Sequence, residues 1–202
     1  MKGLLKSSRW TLRNNIIVKS NFMDKLQKNI FVITGGPASG KTTLLNGLRK
    51  RGFKCFDEIA RQIIDEQLKI KGDLVPWINL DKFNVHVLER MVNQHAKVTE
   101  ELHFFDRGLP DNIAYMRLGN LPVGKDFHET AKNLRYNKKV FFLEPWKEIF
   151  VNDAARKEPF EFALKISEHI KNAYVDFGYE VIVVPKGTVE ERVEFVVRQI
   201  KE

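Results

Sequence analysis

Lys41 and Thr42 close the run Gly35-Gly36-Pro37-Ala38-Ser39-Gly40-Lys41-Thr42-Thr43, which fits the pattern G-x-x-x-x-G-K-[ST]. The residue types explain what such a run can do. Glycines let the backbone turn tightly, and a helix that starts at the turn aims its first N–H groups and positive dipole end at one point. That point binds phosphate. Lys41 is expected to reach the β- and γ-phosphates, the Thr42 hydroxyl to hold Mg²⁺, and Gly35 through Thr43 to cradle a nucleoside triphosphate. Further along, Asp106 ends an apolar run as a second Mg²⁺ ligand would, and Arg107 follows it. Arginine is always protonated and cannot act as a base, so this pair favours transfer to a positioned acceptor over hydrolysis. The other reading of Asp106–Arg107 is a turn making local ion pairs. Glu58, with Asp57 as an alternative, is placed to accept a proton from an attacking hydroxyl, and Arg61 lies one helical turn on to orient the acceptor. An acid that only stabilises a helix N-terminus is the competing account of Glu58. Arg156 and Lys157 lie between Pro145 and Pro159, where a cationic lid would close on a transferring phosphoryl group, or where a basic face would simply be solvated.

The surrounding pattern must position these groups. Ile30–Ile33 reads as a strand entering the glycine loop, and Lys41–Arg51 as a helix with Leu44, Leu45 and Leu48 on one side. Four more apolar runs follow: Phe53–Phe56, Leu102–Phe105, Val140–Leu143 and Val181–Val184. Helical patterns over Glu58–Lys71, Asp81–Glu101, Pro110–Met116, about Phe127–Tyr136 and Pro159–Phe177 separate them. Gly72 and Gly178 are expected to close two of these helices, and Thr188 with Glu191 forms a capping box for the last one. Strands interleaved with helices predict a parallel sheet covered on both faces, with ligands at the carboxyl ends of its strands.

Composition narrows the classes. At 43% hydrophobic and 30% charged, the 202-residue chain suits one domain with a full core, and no apolar run is long enough to span a membrane. Cys55 is the sole cysteine, which excludes an internal disulfide and points to a reducing, cytoplasmic setting, with Cys55 expected in a buried strand in a small apolar role. The five histidines show no metal-ligand spacing. The net charge is +8, and Lys2, Lys6, Arg9, Arg13 and Lys19 supply most of it. Residues 1–24 therefore read as a basic extension and residues 25–202 as the domain. The domain is only mildly basic, and no basic-aromatic repeat suggests nucleic acid. A membrane contact is expected only through the basic extension, if at all; the pattern does not bear on oligomeric state.

Several blocks together resemble a known family. These are Phe31–Pro37, Glu58-Ile59-Ala60-Arg61, Phe104-Phe105-Asp106-Arg107-Gly108-Leu109-Pro110-Asp111 and Pro145-Trp146. Asp153, Arg156 and the closing Glu191-Arg192-Val193-Glu194-Phe195 belong with them. They are similar to AAA-domain predicted ATPases, a family grouped with the nicotinamide riboside kinase domain of NadR, over about residues 29–200. The resemblance implies an α/β, three-layer P-loop NTPase fold of nucleoside/nucleotide-kinase type, with a five-stranded parallel sheet in the order 2-3-1-4-5. It also implies ATP and Mg²⁺, and supports Glu58, Arg61, Asp106, Arg107 and Arg156 as site residues beside Lys41 and Thr42. It does not name an acceptor.

The expectation is an ATP- and Mg²⁺-dependent phosphotransferase acting on a small hydroxylated metabolite such as a nucleoside or nucleotide. The rival is a nucleotide-dependent switch that binds a protein or membrane partner through the basic segment. Guanine is disfavoured as the base, because Asn137-Lys138-Lys139-Val140 lacks the aspartate of a guanine-reading motif.

Overall fold

In the computed structural model, residues 27–150 and 159–201 are described. The predicted extension at 1–24, and Arg156 and Lys157, lie outside them. Strand β1 (Ile30–Gly35) sits at the centre of a five-stranded sheet. It pairs in parallel with β3 (His103–Asp106) on one side and β4 (Lys139–Leu143) on the other. β2 (Lys54–Phe56) and β5 (Glu180–Val183) form the edges, giving the order β2-β3-β1-β4-β5. All pairs are parallel, so all five strands deliver their carboxyl ends to the same rim.

Side-chain alternation sorts the strands between two cores. Ile30 and Val32 of β1, Phe105 of β3, and Val140 and Phe142 of β4 face one layer. There they meet helices α4 (Leu109–Leu118) and α6 (Phe160–Asp176) through Ala114, Ile166, Ile170 and Tyr174. Phe31, Ile33, Phe104, Phe141 and Leu143 face the opposite layer. Leu44, Leu45 and Leu48 of α1 (Lys41–Lys50) cover them, together with Val193 and Val196 of α7 (Val189–Gln199). Each such large side chain, buried fully, contributes about 1.5–3 kcal/mol. A third apolar cluster joins α2 (Ile59–Ile70), α3 (Leu80–His95), α4 and α5 (Lys125–Asn133) through Ile63, Phe83, Val87, Met91, Ile113 and Phe127.

Three expectations change. The helix predicted over Asp81–Glu101 stops at His95, because Lys97 and Val98 turn back to bond the Gln94 and His95 carbonyls at 3.1 and 3.2 Å. His95 itself is tied by Nε2 to the Arg135 carbonyl at 3.0 Å, which fixes where the chain leaves for β3. The second strand is a short, half-buried edge and not a buried strand. Cys55 on it is still unreactive: burial pushes its thiol up to about 11. Lys71, and not Gly72, takes the left-handed position that ends α2. Gly178 and the Thr188–Glu191 capping box appear where the sequence puts them, with Glu191 N donating to Thr188 Oγ1 at 3.2 Å and Thr188 N to Glu191 Oε2 at 2.8 Å.

Candidate active site

At the rim, β1 stops in Gly35, whose φ of +136° is open to glycine and costly for other residues. A Cβ there would also lie 2.1 Å from the Leu143 carbonyl oxygen of β4, so the strand can turn beside its neighbour only without a side chain. The loop ends at Gly40, φ +85°, which starts α1. Ser39 Oγ donates to the Gly36 carbonyl at 3.0 Å and ties the loop across itself. Lys41 is buried, and its ammonium donates to the Gly36 and Gly35 carbonyls at 2.7 and 3.1 Å. Thr42 and Thr43 on the first turn are exposed. A cleft of about 480 Å³ runs along the loop from Ala38 to Thr43, walled by Glu58, Trp146, Thr188 and Arg192.

The register of the sheet brings the acids to this rim. Phe56 pairs with Phe105 and Ile33 with Asp106, so Glu58 and Asp106 emerge at the same level as the loop. Glu58 is the residue before α2, yet its side chain does not cap that helix. It accepts from Arg107 Nε at 2.9 Å instead. Asp57, the alternative acid, points outward and pairs with Arg49.

Arg107 is 6% exposed and adopts a left-handed φ of +71°, unusual for a residue with a Cβ. It holds that conformation through many bonds. Its backbone N–H donates to Ile33 O at 3.0 Å, and Nη1 donates to Gly35 O at 3.0 Å and to Asp111 Oδ1 at 2.9 Å. Asp111 in turn accepts from Thr34 Oγ1 at 2.6 Å, from Tyr174 Oη at 2.6 Å and from the Gly108 N–H at 3.0 Å. Burial opposes the Arg107 charge, and Glu58, Tyr115, Asp111 and Asp106 outweigh it, holding the guanidinium firmly protonated. The ion pairs of Arg107 therefore run to Glu58 and Asp111, and none to Asp106 occurs among the described residues.

Asp106 has a different environment. It is 7% exposed, and its Oδ1 finds no hydrogen-bond partner among the described residues. Burial, reinforced by the Glu58 charge, raises its carboxyl from the ordinary 3.8 to about 7, while Lys41 and Arg107 pull the other way. A buried carboxylate oxygen with no hydrogen-bond partner among the described residues is the donor chemistry of a hard divalent cation. No group of three or more His, Cys, Asp or Glu suited to a metal occurs among the described residues. Mg²⁺ fits that pattern, since it takes one or two carboxylates and fills its shell with phosphate oxygens and water.

Residues 30–192 match the sequence profile of the AAA-domain family. The chain belongs to the AAA-domain family. Among curated proteins, a dephospho-CoA kinase of Streptococcus mutans serotype c is 27% identical over 116 residues. That match spans 57% of this chain and 56% of the kinase, little more than half of either. Among solved structures, deoxyadenosine kinase from M. mycoides with bound dATP superposes with a TM-score of 0.63 at 19% identity, covering 86% of this chain and all of that one. NadR in complex with NAD and AMP-PNP gives 0.63 at 15% identity, over 88% of this chain and 50% of NadR. The fold of this AAA-domain protein is thus that of the P-loop nucleoside kinases, in the strand order the resemblance implied.

Within that fold, Ala38–Thr43 and Glu58 line one cleft, while Asp106 and Arg107 are buried, with Arg107 bonded to Glu58 and to the Gly35 carbonyl. Arg61 stands on α2 and bonds Asp65 through Nε at 3.1 Å. Sequence reasoning gave no role to four residues that shape the site: Asp111, Tyr174, Trp146 and Arg192. Asp111 carries a usable signal, an acid four residues after Arg107 in the first turn of a helix. Arg192 carries another, a charge at a position where the apolar spacing of Val189, Val193 and Val196 calls for a core residue.

Proposed function

We propose that the chain is an ATP-dependent phosphotransferase that phosphorylates a hydroxyl of a small, nucleoside- or nucleotide-like metabolite, working in the cytoplasm. The observation that carries this reading is the Arg107–Glu58 pair, which fixes a carboxylate over the same cleft that holds Lys41 and Thr42. A carboxylate so placed accepts the acceptor's hydroxyl proton as the oxygen attacks the γ-phosphorus and the bond to the β-phosphate oxygen breaks. Lys41 exchanges its loop carbonyls for phosphate oxygens and offsets the charge that builds on them. Arg107 keeps Glu58 aimed, and adds its own positive field from behind. Thr42 and Asp106 would hold Mg²⁺, which supplies charge neutralisation between the phosphates. Arg61 would orient the acceptor, and Arg156, outside the described residues, would close over the transferring group.

The test is ATP consumption by the purified protein with Mg²⁺, alone and against a panel of nucleosides, nucleotides and vitamin-like alcohols. A rate that rises with one compound, and disappears in Lys41→Ala, is the expected result. Slow turnover that no acceptor changes would overturn the transferase reading in favour of a nucleotide-dependent switch.

A further inference from the structure

We propose that Arg192 is a nucleotide-binding residue, a second fixed cation that takes the phosphate chain at the Gly40 end of the cleft, with Trp146 holding its guanidinium in place. The inference rests on the cleft being a nucleoside triphosphate site, and it adds a residue on α7 to that site.

Arg192 is 5% exposed, and its side chain projects from the apolar stripe of α7 toward the loop. Among the described residues its hydrogen bonds are long ones to backbone carbonyls: Nε to Thr188 O at 3.4 Å and Nη1 to Gly40 O at 3.4 Å. The Trp146 ring centroid lies 5.9 Å from its guanidinium carbon. No carboxylate pairs with it among the described residues. Arg49, Arg51, Arg61, Arg90, Arg107 and Arg117 each have one, most of them in water where it is needed least. A buried cation without a counter-charge is costly, and burial lowers the Arg192 pKa accordingly. The imbalance is relieved when an anion enters the space it faces. That space is the cleft itself, since Arg192 is part of its wall, and Nη1 reaches the Gly40 carbonyl of the phosphate loop. A planar guanidinium offers paired donors that match a phosphate's oxygens, and an indole within cation–π reach favours its staying on this side of the cleft. Gly40 fits the same account: a Cβ there would lie 2.7 Å from Arg192 Nη1, so the glycine leaves room for the guanidinium as well as for the turn.

The test measures affinity for ATP, for inorganic tripolyphosphate and for adenosine by titration calorimetry, in the full chain and in Arg192→Gln and Arg192→Lys. Circular dichroism and melting confirm that each variant is folded. Arg192→Gln is expected to weaken ATP and tripolyphosphate alike by about 10- to 100-fold, the range for a lost charge-assisted hydrogen bond. Adenosine binding should not change, and Arg192→Lys should recover a large part of the loss. If the glutamine variant does not fold, Arg192→Met keeps an unbranched stem on α7 and should show the same losses. Unchanged tripolyphosphate affinity in a folded variant would overturn the assignment, and so would a loss confined to adenosine or to the melting temperature. Failure of the unaltered protein to bind either ATP or tripolyphosphate would instead overturn the reading of the whole cleft.

Discussion

Glu58 and Asp106 leave the same rim of the sheet and meet different neighbours. Glu58 accepts from a guanidinium, while Asp106 has an oxygen with no hydrogen-bond partner among the described residues and a raised pKa. Glu58→Gln is expected to leave ATP affinity within about threefold and to cut acceptor-dependent kcat by about 100- to 10,000-fold, the range for a lost general base. An unchanged kcat would show that Glu58 is structural. For Asp106 the sign follows from a folded-state pKa near 7 against an ordinary 3.8. Below about pH 4 the group is protonated folded or unfolded; as pH rises toward 7 the unfolded chain releases the proton first, so the metal-free fold loses stability. Asp106→Asn should therefore raise the melting temperature of the metal-free protein at pH 7 and leave it unchanged near pH 4, as scanning calorimetry at both values would show. The phosphate loop was legible in the sequence because its chemistry is local: nine consecutive residues carry it. The engagement of Arg107 was not, because Thr34 and Tyr174, which hold Asp111 beneath it, are distant in the chain and carry no motif.

Among the elements, α4 and α6 carry the support of the site. Gly108 lets them approach, since a Cβ there would meet Tyr174 Oη at 2.7 Å and Tyr136 Cε2 at 2.9 Å. Through that contact Tyr174 on α6 reaches Asp111 on α4, and Asp111 steadies Arg107 and then Glu58. Tyr174→Phe removes one buried hydrogen bond to a carboxylate and should cost about 1.5–3 kcal/mol. Chemical denaturation should show a lower midpoint at unchanged slope. A midpoint equal to that of the unaltered protein would mean that Gly108 and Thr34 suffice to hold Asp111. Element types were readable from periodicity, since each apolar run met its expected strand or helix. Their ends were less so. The early stop of α3 depends on His95 bonding Arg135, a tertiary contact that no local pattern announces.

For the whole molecule, the buried apolar clusters among the described residues draw on positions from Ile30 to Val196. On that ground a chain lacking residues 1–22 should fold and bind ATP with a melting temperature within a few degrees of the full chain. Unfolding of the truncated protein would show that the basic segment contributes to the core. The five strands and their parallel arrangement could be anticipated from alternation of strand and helix. Their order could not be read from apolar spacing, which says nothing about which strand lies beside which, and it was supplied by the family resemblance alone.

That order also governs when the site comes into being. β1 is made early, yet its two partners are β3 and β4, which begin at residues 103 and 139. Gly35 takes its place against Leu143, the last residue of β4. A growing chain thus carries its complete phosphate-binding sequence long before it has a phosphate-binding loop. Contacts this far apart in the chain form late and slowly. Nucleotide capture and completion of the central sheet should consequently arrive together, so that a chain ending before β4 should hold no nucleotide.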